Sequence, residues 1–143
     1  PETFDALIID TMKVKCGEST IEDPMVCLLC ADVLCSRSCD ICCVDGVGPV
    51  TRHVQSKHKG CGVVMRVSTS EILLFRGDFC ASYPSLYVDQ YGEEDRGLRR
   101  GKPLTLSPER FEALNKLYRR RGIAQEVSRR RLHADRVYRN NVF

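Results

Sequence analysis

The sequence predicts a small α+β domain with a β-hairpin or small antiparallel sheet, a short N-terminal helix and C-terminal helices. Three observations lead to this fold class. Apolar side chains recur at helical spacing near the N-terminus, two strand-like runs flank a short polar turn, and a capped helix start follows residue 106. The length, 143 residues, is that of one domain or of one domain with an appendage.

The N-terminal helix is predicted over residues 4–14. Its apolar stripe consists of Phe4, Leu7, Ile8, Thr11 and Met12. Residues 16–19 end the helix, and Asp23 followed by Pro24 indicates a loop.

The hairpin is predicted from two apolar runs, residues 63–67 and 72–76, which are rich in β-branched or aromatic side chains. Residues 68–71 form the polar turn between them. Residues 79–106 show no periodicity and contain several turn signals. We expect that stretch to be irregular, and so long an irregular stretch indicates a function or packing against another element.

The first C-terminal helix is predicted to begin at Ser107, with Pro108 at its first position. Arg119 to Arg121 fill its last turn and Gly122 fits the C′ position. We expect its apolar stripe to be core: Phe111, Leu114, Leu117 and Tyr118. A second helix is predicted from about Ile123, with Val127 and Leu132 on its apolar side.

Charge divides the chain into a body and a basic end. From residue 119 onward eight arginines face two acids, which gives +6, whereas residues 1–118 carry −3. The arginine-rich end could contact nucleic acid, serve as a targeting signal or form a solvated helix face. No aromatic stacking platform accompanies it, so a solvated face or a partner contact is the preferred interpretation.

No apolar run approaches the roughly 20 residues of a membrane span, so we expect no membrane association. We expect no secretory signal, and the cysteine density is below that of disulfide scaffolds. A reducing compartment is therefore expected, the cytoplasm first and the nucleus second.

Cysteine and histidine concentrate between Cys27 and Cys61, which contain seven of the nine cysteines and two of the three histidines. Clustered thiolates and imidazoles are the ligands of a structural zinc ion, Zn²⁺. The primary predicted site combines the Cys-x-x-Cys pair with a His-x4-His pair: Cys27, Cys30, His53 and His58. A variant pairs His53 with Cys61. Gly46, Gly48 and Pro49 predict loops held by the metal.

The remaining cysteines, Cys35, Cys39, Cys42 and Cys43, leave two interpretations open. They could bind a second zinc with the help of Cys16 or Cys61, or they could be small buried apolar side chains. A redox pair is disfavoured because so many other ligands surround it.

The acidic residues Asp89, Glu93, Glu94 and Asp95 could suggest an acid–base pair. No companion nucleophile or oxyanion motif is present. A solvated or ion-paired loop, with Arg96, Arg99 and Arg100 as partners, is therefore the better interpretation.

Two blocks resemble a known family. One is VCLLCADVLCS at residues 26–36, followed by His53; the other is YVDQYGEEDRGLRRGKPLTL at residues 87–106, followed by ERF at 109–111. Together they are similar to the C-terminal cap domain of UBR-type E3 ubiquitin ligases, the N-recognins of the N-degron pathway. The resemblance covers roughly residues 4–123. The predicted division is residues 1–127 as the zinc-binding cap domain and 128–143 as an arginine-rich extension.

This resemblance implies a role without catalysis of its own. The parent chain would be a RING-type E3 ubiquitin ligase, and the domain would pack against its UBR box and substrate-recognition region. E2 enzymes and N-degron substrates would be indirect partners. The family's zinc ligands resemble Cys27, Cys30, His53 and a nearby cysteine, where an ungapped match places Lys57. His58, one residue later, would substitute for it.

Two other functions compete with this one. A RING domain needs eight ligands in four pairs, and after Cys61 only Cys80 and His133 remain, so the chain itself is not expected to be a RING. A zinc-containing nucleic-acid-binding module that uses the arginine-rich end is the alternative, which salt-dependent binding to DNA or RNA would support.

Overall fold

The computed structural model describes residues 1–21, 23–35, 47–77, 79–133 and 138–139. The helices and strands follow one another in this order: α1 Phe4–Met12, β1 Lys15–Cys16, β2 Ser19–Thr20, β3 Met25–Cys27, β4 Val33–Leu34, α2 Pro49–Lys57, β5 Cys61–Arg66, β6 Glu71–Arg76, β7 Phe79–Tyr83, β8 Tyr87–Val88, a 3₁₀ turn Arg96–Leu98, β9 Thr105–Leu106, α3 Pro108–Arg119, α4 Ile123–His133 and β10 Tyr138–Arg139. The predicted α+β class is confirmed.

Within this part of the chain, an antiparallel sheet of six strands has the order β10-β7-β6-β5-β3-β4. The predicted hairpin forms its centre, with β5 paired to β6 from Cys61↔Arg76 to Arg66↔Glu71. Four consecutive residues are buried in each of these strands. Both faces of the sheet are therefore covered, which explains why the hairpin sequence is continuously apolar rather than alternating.

The two faces carry different helices. On one face Val63, Met65 and Leu74 belong to a core cluster that also contains side chains of α1, α3 and α4. On the other face Val64, Leu73 and Phe75 cluster with residues of β3, β7 and α2, namely Met25, Cys80, Val50 and Val54. Helix α2 thus lies on its own side of the sheet.

The stretch predicted to be irregular contains regular structure at both ends. β7 pairs along its whole length with β6, from Ile72↔Tyr83 to Arg76↔Phe79, and β8 pairs with β9. Cys80 and Ala81 of β7 are both buried, so this strand lacks the alternation that would have revealed it. Apart from the 3₁₀ turn, residues 89–104 have no helix or strand, as predicted.

Helix α1 begins as its sequence predicts. Thr3 is the N-cap and its hydroxyl accepts a hydrogen bond from the Ala6 amide at 3.3 Å. Phe4, Leu7 and Thr11 are buried, whereas Met12 is 64% exposed although the apolar stripe had included it.

The N-terminal residues are joined to residues far along the chain. The Phe4 amide donates to the Leu104 carbonyl at 3.0 Å, and the Leu106 amide donates to the Glu2 carbonyl at 2.8 Å. The ring centroids of Phe4 and Tyr87 are 5.3 Å apart. The start of the chain therefore forms one unit with the β8–β9 ribbon.

Helix α3 has the predicted N-cap, Ser107, which accepts from the Arg110 amide, and Pro108 in its first turn. The prediction that its whole apolar stripe is core is wrong for two residues. Leu114 and Leu117 are buried, but Phe111 and Tyr118 are 48% and 49% exposed. Helix α3 contributes Leu114 and Leu117 to the core cluster, whereas Phe111 and Tyr118 are not among its members.

The end of α3 also differs from the prediction for Gly122. Arg121, not Gly122, is the C′ residue and has the positive φ of +58°. The Arg121 amide donates to the Tyr118 carbonyl and the Gly122 amide to the Leu117 carbonyl, the pattern of a Schellman motif. A Cβ at Gly122 would lie 2.8 Å from Leu117 Cδ1, so glycine is needed there for close packing.

Candidate metal centre

The first two candidate ligands lie on a turn that continues directly from core strand β3. The Cys27 amide donates to the Asp32 carbonyl at 2.9 Å, and the Ala31 amide donates to the Cys27 carbonyl at 2.8 Å. Ala31 has a positive φ of +64°, which reverses the chain. We call residues 27–32 the knuckle turn. It holds Cys27, which is fully buried, and Cys30, which is half-buried, with both thiols on one side.

The second pair comes from helix α2, where the sequence had predicted a loop. Gly48 is its N-cap and Pro49 lies in its first turn, a pattern that starts helices as well as loops. Val50 and Val54 are fully buried against the sheet, and Gly62 of β5 makes room for Val54. His53 lies on the helix and His58 is its C-cap, with its amide bonded to the Val54 carbonyl.

The four side chains converge. Cys27 Sγ lies 3.3 Å from His58 Nε2, and Cys30 Sγ lies 3.3 Å from His53 Nε2. The two Nε2 atoms are 3.2 Å apart, and all four ligand atoms lie within 4.8 Å of one another. The structure thus brings together the four residues of the primary predicted site.

These distances suit a tetrahedral zinc ion. With Zn–S bonds of about 2.3 Å and Zn–N bonds of about 2.0–2.1 Å, neighbouring ligand atoms are roughly 3.3–3.8 Å apart. Two cysteines and two histidines are a common structural donor set, and four protein donors leave no position for substrate or water. The residues therefore fit a closed structural site.

The protonation state of the ligands follows from their surroundings. Burial, followed by the neighbouring His58, lowers the pKa of His53, which favours the neutral imidazole that binds metal. Burial raises the pKa of the Cys27 thiol. A metal must therefore displace a proton from this thiol, and its binding weakens as the pH falls.

The profile of the Proteolysis_6 C-terminal family matches residues 1–120 of the chain. The chain belongs to this family. Among its relatives, mouse E3 ubiquitin-protein ligase UBR2 is 36% identical over 136 residues and mouse UBR1 is 34% identical over 139. These alignments cover 89% and 90% of the chain but 8% of each relative. Caenorhabditis elegans E3 ubiquitin-protein ligase ubr-1 is 35% identical over 141 residues, which cover 89% of the chain and 7% of the relative.

The resemblance to a UBR-type C-terminal domain is therefore confirmed, and the chain spans less than a tenth of the length of these relatives. The family match ends at residue 120, and α4 runs from Ile123 to His133 through the predicted boundary at 127. The division into residues 1–127 and 128–143 stays a prediction. None of the described helices of the UBR-type domain is long and apolar enough to cross a membrane.

Among the described residues, the other cysteines are not members of the four-residue cluster. Cys61, the alternative fourth ligand, is exposed at the start of β5. Cys35 and Cys80 are buried, and burial raises the pKa of Cys80 to about 12. The two interpretations left open for Cys35, Cys39, Cys42 and Cys43, a second zinc site or buried apolar side chains, depend mainly on residues 36–46, which lie outside the described residues.

The acidic residues form an ion-paired loop, as predicted. Asp89 is buried and accepts hydrogen bonds from the Tyr91 amide at 2.8 Å and the Glu93 amide at 3.0 Å. Asp95 accepts a hydrogen bond from the Arg100 amide, and the Arg100 side chain donates to Glu93 at 2.9 Å. The carboxylates of Asp89 and Asp95 thus hold backbone amides of this loop in place.

Two arginines of α4, Arg130 and Arg131, lie against aromatic rings of β7. Arg129 and Arg130 both bond Glu126. The Arg130 guanidinium lies 4.7 Å from the Tyr83 ring centroid, and that of Arg131 lies 3.5 Å from the Phe79 ring centroid. These contacts with β7 favour packing over nucleic-acid contact for this part of the arginine-rich end.

Proposed function

We propose that the UBR-type domain is a zinc-stabilised scaffold and interaction domain of an N-degron-pathway RING-type E3 ubiquitin ligase. It packs against the UBR box and substrate-recognition region of that ligase and supports ubiquitination of N-degron substrates. The closed set of four donors carries the proposal, because it leaves no open coordination position for catalysis. The E2 enzyme and the substrates are indirect partners, and the location is the cytoplasm, with a nuclear fraction.

Zinc would join two elements that lie far apart in the sequence. The knuckle turn follows β3, whereas α2 follows residues 36–46 and begins at Pro49. Cys27 and His58 are 31 residues apart in sequence, and Cys30 and His53 are 23 apart. A structural zinc contributes on the order of 10–16 kcal/mol of apparent binding free energy to small modules of this kind.

An exposed apolar groove supports the interaction role. Leu28 and Leu29 of the knuckle turn form one wall, and Phe111 and Tyr118 of α3 form the other. Both aromatic rings are about half exposed. Since the relatives extend far beyond the matched region, we assign this groove to contact with the substrate-recognition region of the same ligase.

The metal part of the proposal is tested by the zinc content of the purified domain. We expect about one equivalent bound by the four ligands. Two equivalents would show that the Cys35–Cys43 region holds a second ion. A domain whose melting temperature is the same with and without a strong chelator would contradict the proposal.

The interaction part is tested in the full-length ligase by crosslinking mass spectrometry and by ubiquitination of an N-degron substrate. The variant Phe111→Ser with Tyr118→Ser should lose crosslinks between this domain and the substrate-recognition region and should slow ubiquitination. Tyr91→Ser is the matched control, because Tyr91 is a 69% exposed aromatic residue away from the groove. Unchanged crosslinks in the double variant would refute the assignment. Binding to nonspecific nucleic acid at low salt would favour the alternative function.

A further inference from the structure

The two histidines of the cluster present the same ring atom to its centre. Nε2 of His53 and Nε2 of His58 are the atoms that approach the thiols and each other. Nδ1 of His53 therefore lies on the far side of its ring. A histidine that ligates through Nε2 carries its proton on Nδ1, and that N–H requires an acceptor, since the His53 side chain is only 9% exposed.

Asp32 provides the carboxylate on that side. Its Oδ2 lies 3.8 Å from His53 Nδ1, roughly 1 Å longer than a hydrogen bond. The Asp32 side chain is 45% exposed, so it has room to close this gap. Its main chain is fixed, because the Asp32 carbonyl accepts the Cys27 amide within the knuckle turn. The turn that arranges the thiols thus also sets the position of this carboxylate.

Lys57 holds the carboxylate from the other element. It lies four residues after His53 on α2, so both side chains lie on the same helix face. Lys57 Nζ is 2.7 Å from Asp32 Oδ2. Two thiolates and two neutral imidazoles make a zinc complex of zero net charge, and the Asp32–Lys57 pair adds none.

We propose that Asp32 is a positioning residue of the metal centre, which accepts the Nδ1–H of His53 and so directs the lone pair of Nε2 to the ion. Lys57 keeps the carboxylate in place and is secondary to it. This inference rests on the proposed zinc site and assigns to it a residue outside the four ligands.

The test measures zinc affinity by competition with a chromophoric chelator at one fixed pH. Asp32→Ala should lower the affinity by about 10- to 100-fold, the usual effect of losing an outer-shell partner. Asp32→Asn keeps the size of the side chain and one acceptor oxygen, and its zinc affinity should fall several-fold. Asp10→Ala is the matched control, since it breaks a comparable exposed pair with Lys13 at 3.0 Å, away from the cluster.

Lys57→Met separates positioning from simple ion pairing. It removes the Asp32–Lys57 pair but leaves the carboxylate, so it should lose less affinity than Asp32→Ala. Long-range ¹H–¹⁵N spectra of the zinc-loaded domain should show a protonated, slowly exchanging His53 Nδ1 that exchanges faster in Asp32→Ala and Asp32→Asn.

Three outcomes would overturn the inference. If the wild-type domain binds no zinc, both the proposed zinc site and this inference are wrong. If the wild type binds zinc but both Asp32 variants match Asp10→Ala, the inference alone fails. If Lys57→Met loses as much affinity as Asp32→Ala and His53 exchange is unchanged, Asp32 acts only through the ion pair.

Discussion

The knuckle turn with α2 and the acidic loop, residues 85–107, are both poor in strand structure but are held by different interactions. In the first region, side chains from two distant elements meet at four ligand atoms. In the second, carboxylates bond backbone amides no more than nine residues away, as Asp89 does with Tyr91 and Glu94 with Ser85. The first arrangement fits a metal ion that would hold its donors together. The second is held by hydrogen bonds within the polypeptide itself.

This difference indicates which change in conditions should destabilise each region. Removal of the metal should release the knuckle turn and α2 and leave the acidic loop in place. Acid should loosen the acidic loop by protonating its carboxylates and should also compete with zinc for its ligands. Four variants test this contrast, in order of decreasing expected effect.

Cys27→Ser should have the largest effect, because it removes a buried ligand. We expect loss of the zinc, a destabilisation of several kcal/mol and loss of amide-exchange protection in α2. Protection in residues 89–100 should persist. Cys61→Ser, which removes an exposed thiol, is the control and should retain one equivalent of zinc. Retained zinc in Cys27→Ser would contradict the predicted ligand set.

Gly62→Ala should have the second-largest effect, although it alters none of the four candidate ligands. A Cβ at this position would lie 2.7 Å and 3.1 Å from the two methyl groups of Val54, whose β-branched side chain is stiff. We expect about 1–3 kcal/mol of destabilisation in a melting experiment, from overpacking between α2 and β5. Adding Val54→Ala should restore part of the loss; no restoration would show that the strain lies elsewhere.

Asp89→Asn should have a smaller, local effect that depends on pH. The Glu93 and Tyr91 amides, assisted by Arg100, hold the pKa of Asp89 below its usual range. The ionised carboxylate therefore stabilises the folded loop above its ordinary pKa of about 3.9, and this contribution is lost as pH falls through the lower folded-state pKa.

Protection factors of the Tyr91 and Glu93 amides, measured between pH 6 and pH 2.5, check this prediction. They should fall on acidification in the wild type and be lower and flatter in Asp89→Asn. Asp10→Asn should behave like the wild type, because Asp10 lies on α1 and bonds Lys13. A wild-type profile that does not change with pH would contradict it.

Arg110→Met should have the smallest effect. Arg110 Nη1 bonds Glu94 at 2.6 Å and the Ser85 carbonyl at 2.9 Å, which joins α3 to the acidic loop. We expect a loss of about 1 kcal/mol in chemical denaturation. Arg119→Met breaks the exposed pair with Glu112 and should change stability by less than about 0.5 kcal/mol. Equal losses of stability in the two variants would show that the Arg110 contacts contribute no more than an exposed ion pair.

Local sequence signals predicted the elements that they define by themselves. The capped start of α3 at Ser107 and the apolar hairpin of β5 and β6 are both present. β7 was missed because its existence depends on pairing with β6, and its buried Cys80 and Ala81 give no alternation. Exposure of Phe111 and Tyr118 could not be read from helical spacing, which shows a common face but not what covers it.

For the candidate site, the sequence predicted which four residues converge, but it did not predict the helix that carries two of them. The Cys-x-x-Cys and His-x4-His spacings indicated the four residues that converge. Helix α2 was missed because Gly48 and Pro49 also indicate loops, although Val50 and Val54 were a sign of helical spacing. Asp32 was missed because it becomes a neighbour of His53 only through the fold, 21 positions apart in sequence.

The contacts at the N-terminus have a consequence for the order of assembly. Helix α1 has nine residues, too few to be stable alone in water. Phe4 of this helix contacts Tyr87 and Leu104, which lie 83 and 100 residues later, and Glu2 before the helix bonds Leu106, 104 residues later. At about 5–20 residues per second, the ribosome needs roughly 5–20 s to make the intervening chain. Of the described helices of this domain, α1 is made before the others and docks only after most of the sheet strands have been made.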